Sequence, residues 1–139
     1  MTTVSLYNHT RKLFANGEVV AANLKVMLTN NYTFAATETA MTNATAAEVD
    51  GGGWTTGGEA IGSGAVTVVN TNEAMLDGSD ISVAASGANI GPADGAVIYE
   101  TDNSKPLFYI DFEGDVTAVD GVDNFEILWN ANGIHRWTA

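Results

Sequence analysis

Along residues 5–17 (SLYNHTRKLFANG) Leu6, Thr10, Leu13 and Phe14 recur at helical spacing, with Arg11 and Lys12 late in the stretch. Gly17 stands where a helix would end in left-handed backbone. One short N-terminal helix is predicted there. Val19, Val20, Leu24, Val26 and Leu28 then lead through LKVMLT, rich in β-favouring side chains, to the turn-like Asn30–Asn31 pair, which predicts a strand. Residues 35–49 mix helix formers with several Thr and hold only Met41 and Val49 as large apolar side chains, so they support no more than a weak helix or an ordered loop.

From Gly51 the texture changes. GGGWTTGG breaks regular structure, and short β-rich segments follow at 59–69, 80–85, 95–100, 107–113, 124–129 and 133–138, punctuated by Gly, Asn and Asp. The last two are separated by Asn130, Ala131 and Asn132, with Gly133 available for positive φ, which predicts a tight hairpin. In the 107–113 segment Phe108, Ile110 and Phe112 alternate with Leu107, Tyr109, Asp111 and Glu113. One side is therefore wholly apolar while the other ends acidic. This pattern predicts a mainly β fold, an antiparallel β-sandwich or β-barrel-like domain with one short N-terminal helix. Residues 1–139 read as a single domain, 1–17 being an N-terminal segment plus that helix.

Charge sharpens this picture. The 139 residues hold 17 Asp and Glu against 5 Lys and Arg, a formal net charge of −12, although only 16% of residues are charged and 45% are hydrophobic. The composition is globular, and the charge disfavours nucleic acid and anionic membranes as partners. From Glu48 to His135 Lys105 is the sole Lys or Arg, whereas Arg11, Lys12 and Lys25 lie in the N-terminal quarter and Arg136 near the end. The chain is polarised, and Arg11 and Lys12 become candidate partner contacts. With no cysteine there is no disulfide framework, thiolate metal site or cysteine nucleophile. The first residues lack the basic-then-apolar form of a secretory signal and no run reaches a membrane span, so synthesis in a cytoplasm is expected.

Few residues carry chemistry. His9 and His135 have no nucleophile-elbow, HExxH or paired catalytic context, so no enzyme, catalytic residue or cofactor is expected. GGGWTTGGEAIGSG lacks the Lys of a phosphate-binding loop and reads as a sharp, close-packed turn anchored by Trp54. Asp111, Glu113, Asp115, Asp120 and Asp123 lie within thirteen residues and are of the hard-oxygen type that suits Ca²⁺. An EF-hand counted from Asp111 would place its Gly and Glu where Val116 and Val122 stand. Solvated loop carboxylates are the simpler reading, and no metal site is assigned. Among the tryptophans, alternation with Phe125 and Ile127 puts Trp129 in the core, while Trp54 and Trp137 are candidate interface aromatics. The uncharged, β-compatible segment Met1 to Leu6, with Leu6 at its end, is suited to pairing with a neighbour's sheet edge.

Six stretches in one order carry a resemblance: Leu6 to Asn8; Lys25 to Leu28 with Asn31 to Thr33; Glu48 to Gly58; Gly95 to Tyr99; Leu107 to Phe112; and Ile127 to Ile134. Their order resembles that of a family of small structural proteins encoded by tailed bacteriophages, and spans nearly the whole chain. The resemblance implies a virion component, with a capsid decoration (cement) protein on the outer surface of the head as the leading role. It implies the phage major capsid protein as partner, and a homo-oligomer, a trimer favoured. Alternatives are a tail, baseplate or head-fibre component, or a virion carbohydrate-binding module gripping sugar with Trp54 among Thr55, Thr56 and Glu59.

Overall fold

The computed structural model describes residues 3–138. Its strands are β1 (Thr3–Leu6), β2 (Leu24–Thr29), β3 (Glu48–Val49), β4 (Glu59–Ala60), β5 (Ala65–Asn70), β6 (Glu73–Asp77), β7 (Ile81–Ala84), β8 (Ile90–Glu100), β9 (Lys105–Ala118), β10 (Asn124–Ile127) and β11 (His135–Trp137). Two short helices, α1 (Thr10–Ala15) and α2 (Thr42–Ala46), complete the regular structure with one 3₁₀ turn at Ala21–Asn23. The main sheet runs β1-β9-β8-β2-β3, with β4 beside β3 on the same edge of β2, and every pairing is antiparallel. Two small sheets, β10-β7 and β11-β6-β5, pack on it. The domain is mainly β and sandwich-like, as the alternation predicted.

The central strands read as continuous apolar runs because both faces of the main sheet are covered. Leu24, Val26 and Leu28 of β2, Ala96 and Ile98 of β8, and Phe108 and Ile110 of β9 point to one side. There they join Leu76, Ile81, Phe125, Ile127 and Ile134 from the small sheets, together with Trp54 and Ile61. Met27, Val97 and Tyr109 point to the other side, into a second core closed by Tyr7, Tyr32, Met41 and Ala44. The weak helix α2 and the coil before it therefore serve as a lid on the back of the sheet. Tyr7 donates to Tyr32 at 2.6 Å, and Tyr32 donates to the Glu38 carboxylate at 2.6 Å, which tethers that cover to the core.

Several expectations need correction. The predicted helix over 5–17 forms only at Thr10–Ala15, because residues 3–6 bond to β9, Leu6 lying opposite Phe108. Its end is as expected: the Gly17 and Glu18 amides return to Phe14 and Leu13 with Gly17 at φ 70°, a Schellman cap. The segment from Thr3 to Leu6 pairs with β9 of its own chain and forms the edge of the main sheet; Met1 and Thr2 lie outside the described residues. The 59–69 strand divides into β4 and β5 around Gly62, Ser63 and Gly64, with Ser63 at φ 54°. β6 escaped prediction since its sequence, EAMLD, has helix formers and no β-branched residue. β9 follows the expectation for residues 107–113: Phe108, Ile110 and Phe112 all pack on the main core, while the alternate side turns acidic from Asp111.

The predicted C-terminal hairpin is half present. Its turn exists, with the Gly133 amide on the Asn130 carbonyl at 2.8 Å and Gly133 at φ 74°. The strands nonetheless separate, β10 to β7 and β11 to β6. The Trp129 amide is held by the Asp80 carboxylate at 2.8 Å, so the chain has left the β10 ladder before the turn begins.

The glycine-rich loop is backbone geometry, as read. Gly51 and Trp54 exchange both backbone hydrogen bonds at 3.1 Å. A Cβ on Gly52 would lie 2.5 Å from the Asn89 carbonyl oxygen, which excludes a side chain there. The turn inserts Trp54 into the core, edge-on to Phe125 at 5.4 Å between ring centroids.

Candidate functional site

Helix α1 is fastened to β9 by its first turn. Thr10 Oγ1 donates to the Leu107 carbonyl at 2.6 Å, and His9 Nε2 donates to that of Pro106. Thr10 and Leu13 are buried, so Arg11 and Lys12 face solvent. Neither has an ion-pair partner among the described residues.

β11 runs beside this helix. Strand alternation turns His135 and Trp137 inward and Arg136 outward. The Trp137 ring meets Phe14 of α1 edge-on at 5.0 Å and His135 at 4.7 Å, while His135 and Phe14 both approach Phe108 of β9, at 5.5 Å and 6.2 Å. Burial holds the His135 imidazole below its usual pKa, and the positive charge of Arg11 adds to the effect. His135 is therefore neutral near pH 7 and belongs to an aromatic floor with Arg11 beside it. Arg136, on the outer face, is held by Glu73 at 2.5 Å and Asn132 at 3.1 Å, and its hydrogen bond draws the Glu73 carboxyl below its ordinary pKa.

Of the residues singled out in sequence, Arg11 and Trp137 are thus brought together at His135 from opposite ends of the chain, while Lys12 is exposed on the same helix. Leu6, half-buried opposite Phe108, packs against the main core. Trp54 does not join them: it is 2% exposed, which removes it as a surface aromatic. Sequence reading missed Phe14 and His135 as parts of this cluster, since nothing local announces that residues 11–14 meet residues 135–137. Trp129 is half-buried against the core, its indole N–H donating to the Ser79 carbonyl at 2.9 Å.

Burial of Trp54 also takes the aromatic platform from the carbohydrate reading. Beside it Glu59 accepts the Thr55 amide at 2.7 Å and Asp50 accepts the Thr56 hydroxyl, so the loop's polar groups serve its own turn. A groove of about 500 Å³ lies elsewhere, between β1, the distal part of β9 and β10, lined mainly by apolar side chains such as Val4, Phe112, Val116 and Leu128.

The acidic stretch from Asp111 to Asp123 does not converge. Asp111 accepts the Glu113 amide at 2.8 Å, Asp120 that of Gly87 at 2.9 Å, and Asp123 that of Val119 at 3.0 Å. Among the described residues no group of three or more His, Asp or Glu side chains is placed to hold a metal ion. Calorimetric titration with Ca²⁺ is expected to give a flat trace. Asp123→Ala is expected to lower stability by about 1 kcal/mol through the lost loop hydrogen bond; a binding isotherm would reverse this assignment.

No family model, curated protein or solved structure matches this chain. Fold and surface together define a mainly β, sandwich-like domain of an acidic chain, with Arg11 beside an aromatic cluster shared by α1, β9 and β11.

Proposed function

We propose that this protein is a capsid decoration protein of a tailed bacteriophage, binding the outer surface of the major capsid protein shell and stabilising the head. The observation that carries the reading is the placement of Arg11, without an ion-pair partner among the described residues, beside the aromatic floor of Phe14, His135 and Trp137, with Lys12 exposed next to it in the chain, in a protein of net charge −12. Opposite charge steers docking and sets orientation, and a half-buried Trp supplies the anchoring area typical of interface centres. The acidic remainder faces solvent, away from packaged DNA, which it would repel. The ordered resemblance of six sequence stretches to phage structural proteins supplies the virion context. Neither catalysis nor a cofactor enters this role.

Two measurements test it. Quantitative mass spectrometry of purified particles is expected to find hundreds of copies per virion, in proportion to the major capsid protein; a few dozen would assign the chain to tail, baseplate or fibre instead. Double charge reversal, Arg11→Glu with Lys12→Glu, is expected to weaken shell binding at least tenfold at low salt with an unchanged melting temperature, because both side chains are solvent-exposed. Binding equal to wild type would refute this docking face.

A further inference from the structure

We propose that the free edge of β5 is the site where a second copy of this chain joins, β5 against β5, antiparallel across a twofold axis. Among the described residues β5 (AVTVVN) is hydrogen-bonded along its length to β6 alone and ends the β11-β6-β5 sheet, with the 3₁₀ turn at Ala21–Asn23 close to its first residues. All six of its residues are exposed, Val68 by 85%. No charged residue and no proline occurs between Glu59 and Glu73.

Soluble monomers guard sheet edges with charge, proline or shortness. The other edges here follow that rule: β3 carries Glu48, β4 Glu59, β10 Glu126 and β11 Arg136, while β1 and β7 have only four residues each. β5 alone is long, β-branched, exposed and uncharged. Its main-chain groups on the open side present a template for a further strand.

Charge selects the occupant. Two copies, each of net charge −12, repel wherever their acidic surfaces meet, so a self-contact needs a neutral strip, and β5 supplies one. Paired this way, the two β6 strands, with Glu73 and Asp77, stand three strand spacings apart, about 14 Å. That exceeds the Debye length of about 8 Å in physiological salt, so their charges are largely screened from each other. A cationic partner would instead be drawn to the acidic surface around the strand. Pairing converts a three-stranded sheet into a six-stranded one, β11-β6-β5-β5-β6-β11, and each copy meets the same surface on the other, the isologous arrangement of a twofold dimer. Since one strand per copy buries less than the roughly 1,200 Å² of a standard interface, association depends on concentration. The arrangement gives dimers, whereas the family resemblance implies trimers.

Sedimentation equilibrium of the purified chain without capsid, from micromolar to millimolar concentration, is expected to show a monomer–dimer equilibrium. Val68→Lys is expected to weaken it at least tenfold without changing the melting temperature, and Val66→Glu provides a second variant should the first fail to fold. The chain has no cysteine, so a single introduced one reports only contacts between copies. Under mild oxidation Thr67→Cys and Val68→Cys are expected to cross-link faster than Ser86→Cys, placed in an exposed loop. A monomer at every concentration, a trimer, or cross-linking no faster than the loop control overturns the proposal. A Val68→Lys chain that stays monomeric yet binds the shell leaves the decoration reading intact, so the two can fail separately.

Discussion

Replacing Gly58 by Ala is expected to lower stability by about 3–5 kcal/mol, through left-handed backbone strain and a steric clash. Gly58 sits at φ 99°, and a Cβ there would lie 2.4 Å from the Val26 carbonyl oxygen and 2.7 Å from its carbon. Both are main-chain atoms of the central strand β2 and cannot rotate aside. Glu59, the next residue, pairs with Val26, so the methyl would lever β4 off the sheet and disturb Ile61, whose amide donates to the Leu24 carbonyl at 2.9 Å. For a domain of this size the loss corresponds to roughly 10–20 °C in melting temperature. Gly17→Ala is the control: its φ of 70° is also left-handed, but nothing lies within 4 Å of the added methyl, so only about 1–2 kcal/mol is expected. Equal melting temperatures for the two variants would show that close approach to β2 is not what the glycine serves.

The second large effect is a loss of stability in alkali. Burial, before any other cause, raises the pKa of all four tyrosines, Tyr7, Tyr32, Tyr99 and Tyr109. Tyr32 is pushed up to about 12, and its bond to Glu38 adds to the shift. Above pH 10 the unfolded chain releases phenolic protons that the folded chain keeps. Fewer protons are bound unfolded than folded, so stability is fully present below the unfolded value and falls as pH rises from there through the folded one. Each such group contributes a slope of up to about 1.4 kcal/mol per pH unit, and Tyr7 and Tyr32 together up to about 2.7. Urea unfolding between about pH 8 and about pH 11.5 is expected to stay level to about pH 10 and then drop steeply, with phenolate absorbance rising only as structure is lost. Tyr32→Phe is expected to flatten the drop, and to cost about 1 kcal/mol at neutral pH by leaving the Tyr7 hydroxyl without its acceptor. A Tyr32→Phe chain that loses stability above pH 10 as steeply as the wild type would contradict the role given to this pair.

The places where prediction from the chain succeeded share one property: their cause is local. Alternation in LKVMLT, Gly17 as a helix terminator, Gly133 in its turn and the glycine-rich turn around Trp54 are decided by side chains and φ angles within a few residues. The failures share another. Leu6 has helical spacing to Thr10 and Leu13, yet it lies in a strand because Phe108, a hundred residues away, offers a ladder partner. EAMLD is a strand because β5 and β11 flank it, against its own propensity.

The same division governs the functional surface. Net charge, its concentration of bases toward the N-terminus, the absence of cysteine and the mainly β class follow from composition and period alone, because they are sums and local regularities. Which bases are free and what stands behind them are long-range matters. Arg11 and Arg136 look equivalent in the chain, but strand alternation sends Arg136 to Glu73 and leaves Arg11 beside His135. Trp54 and Trp137 look equally available, but one fills the space between sheets while the other rests on Phe14. The exposure of β5 on all six residues likewise arises from the small sheet ending there, since pairing partners and sheet order are settled by packing between distant segments.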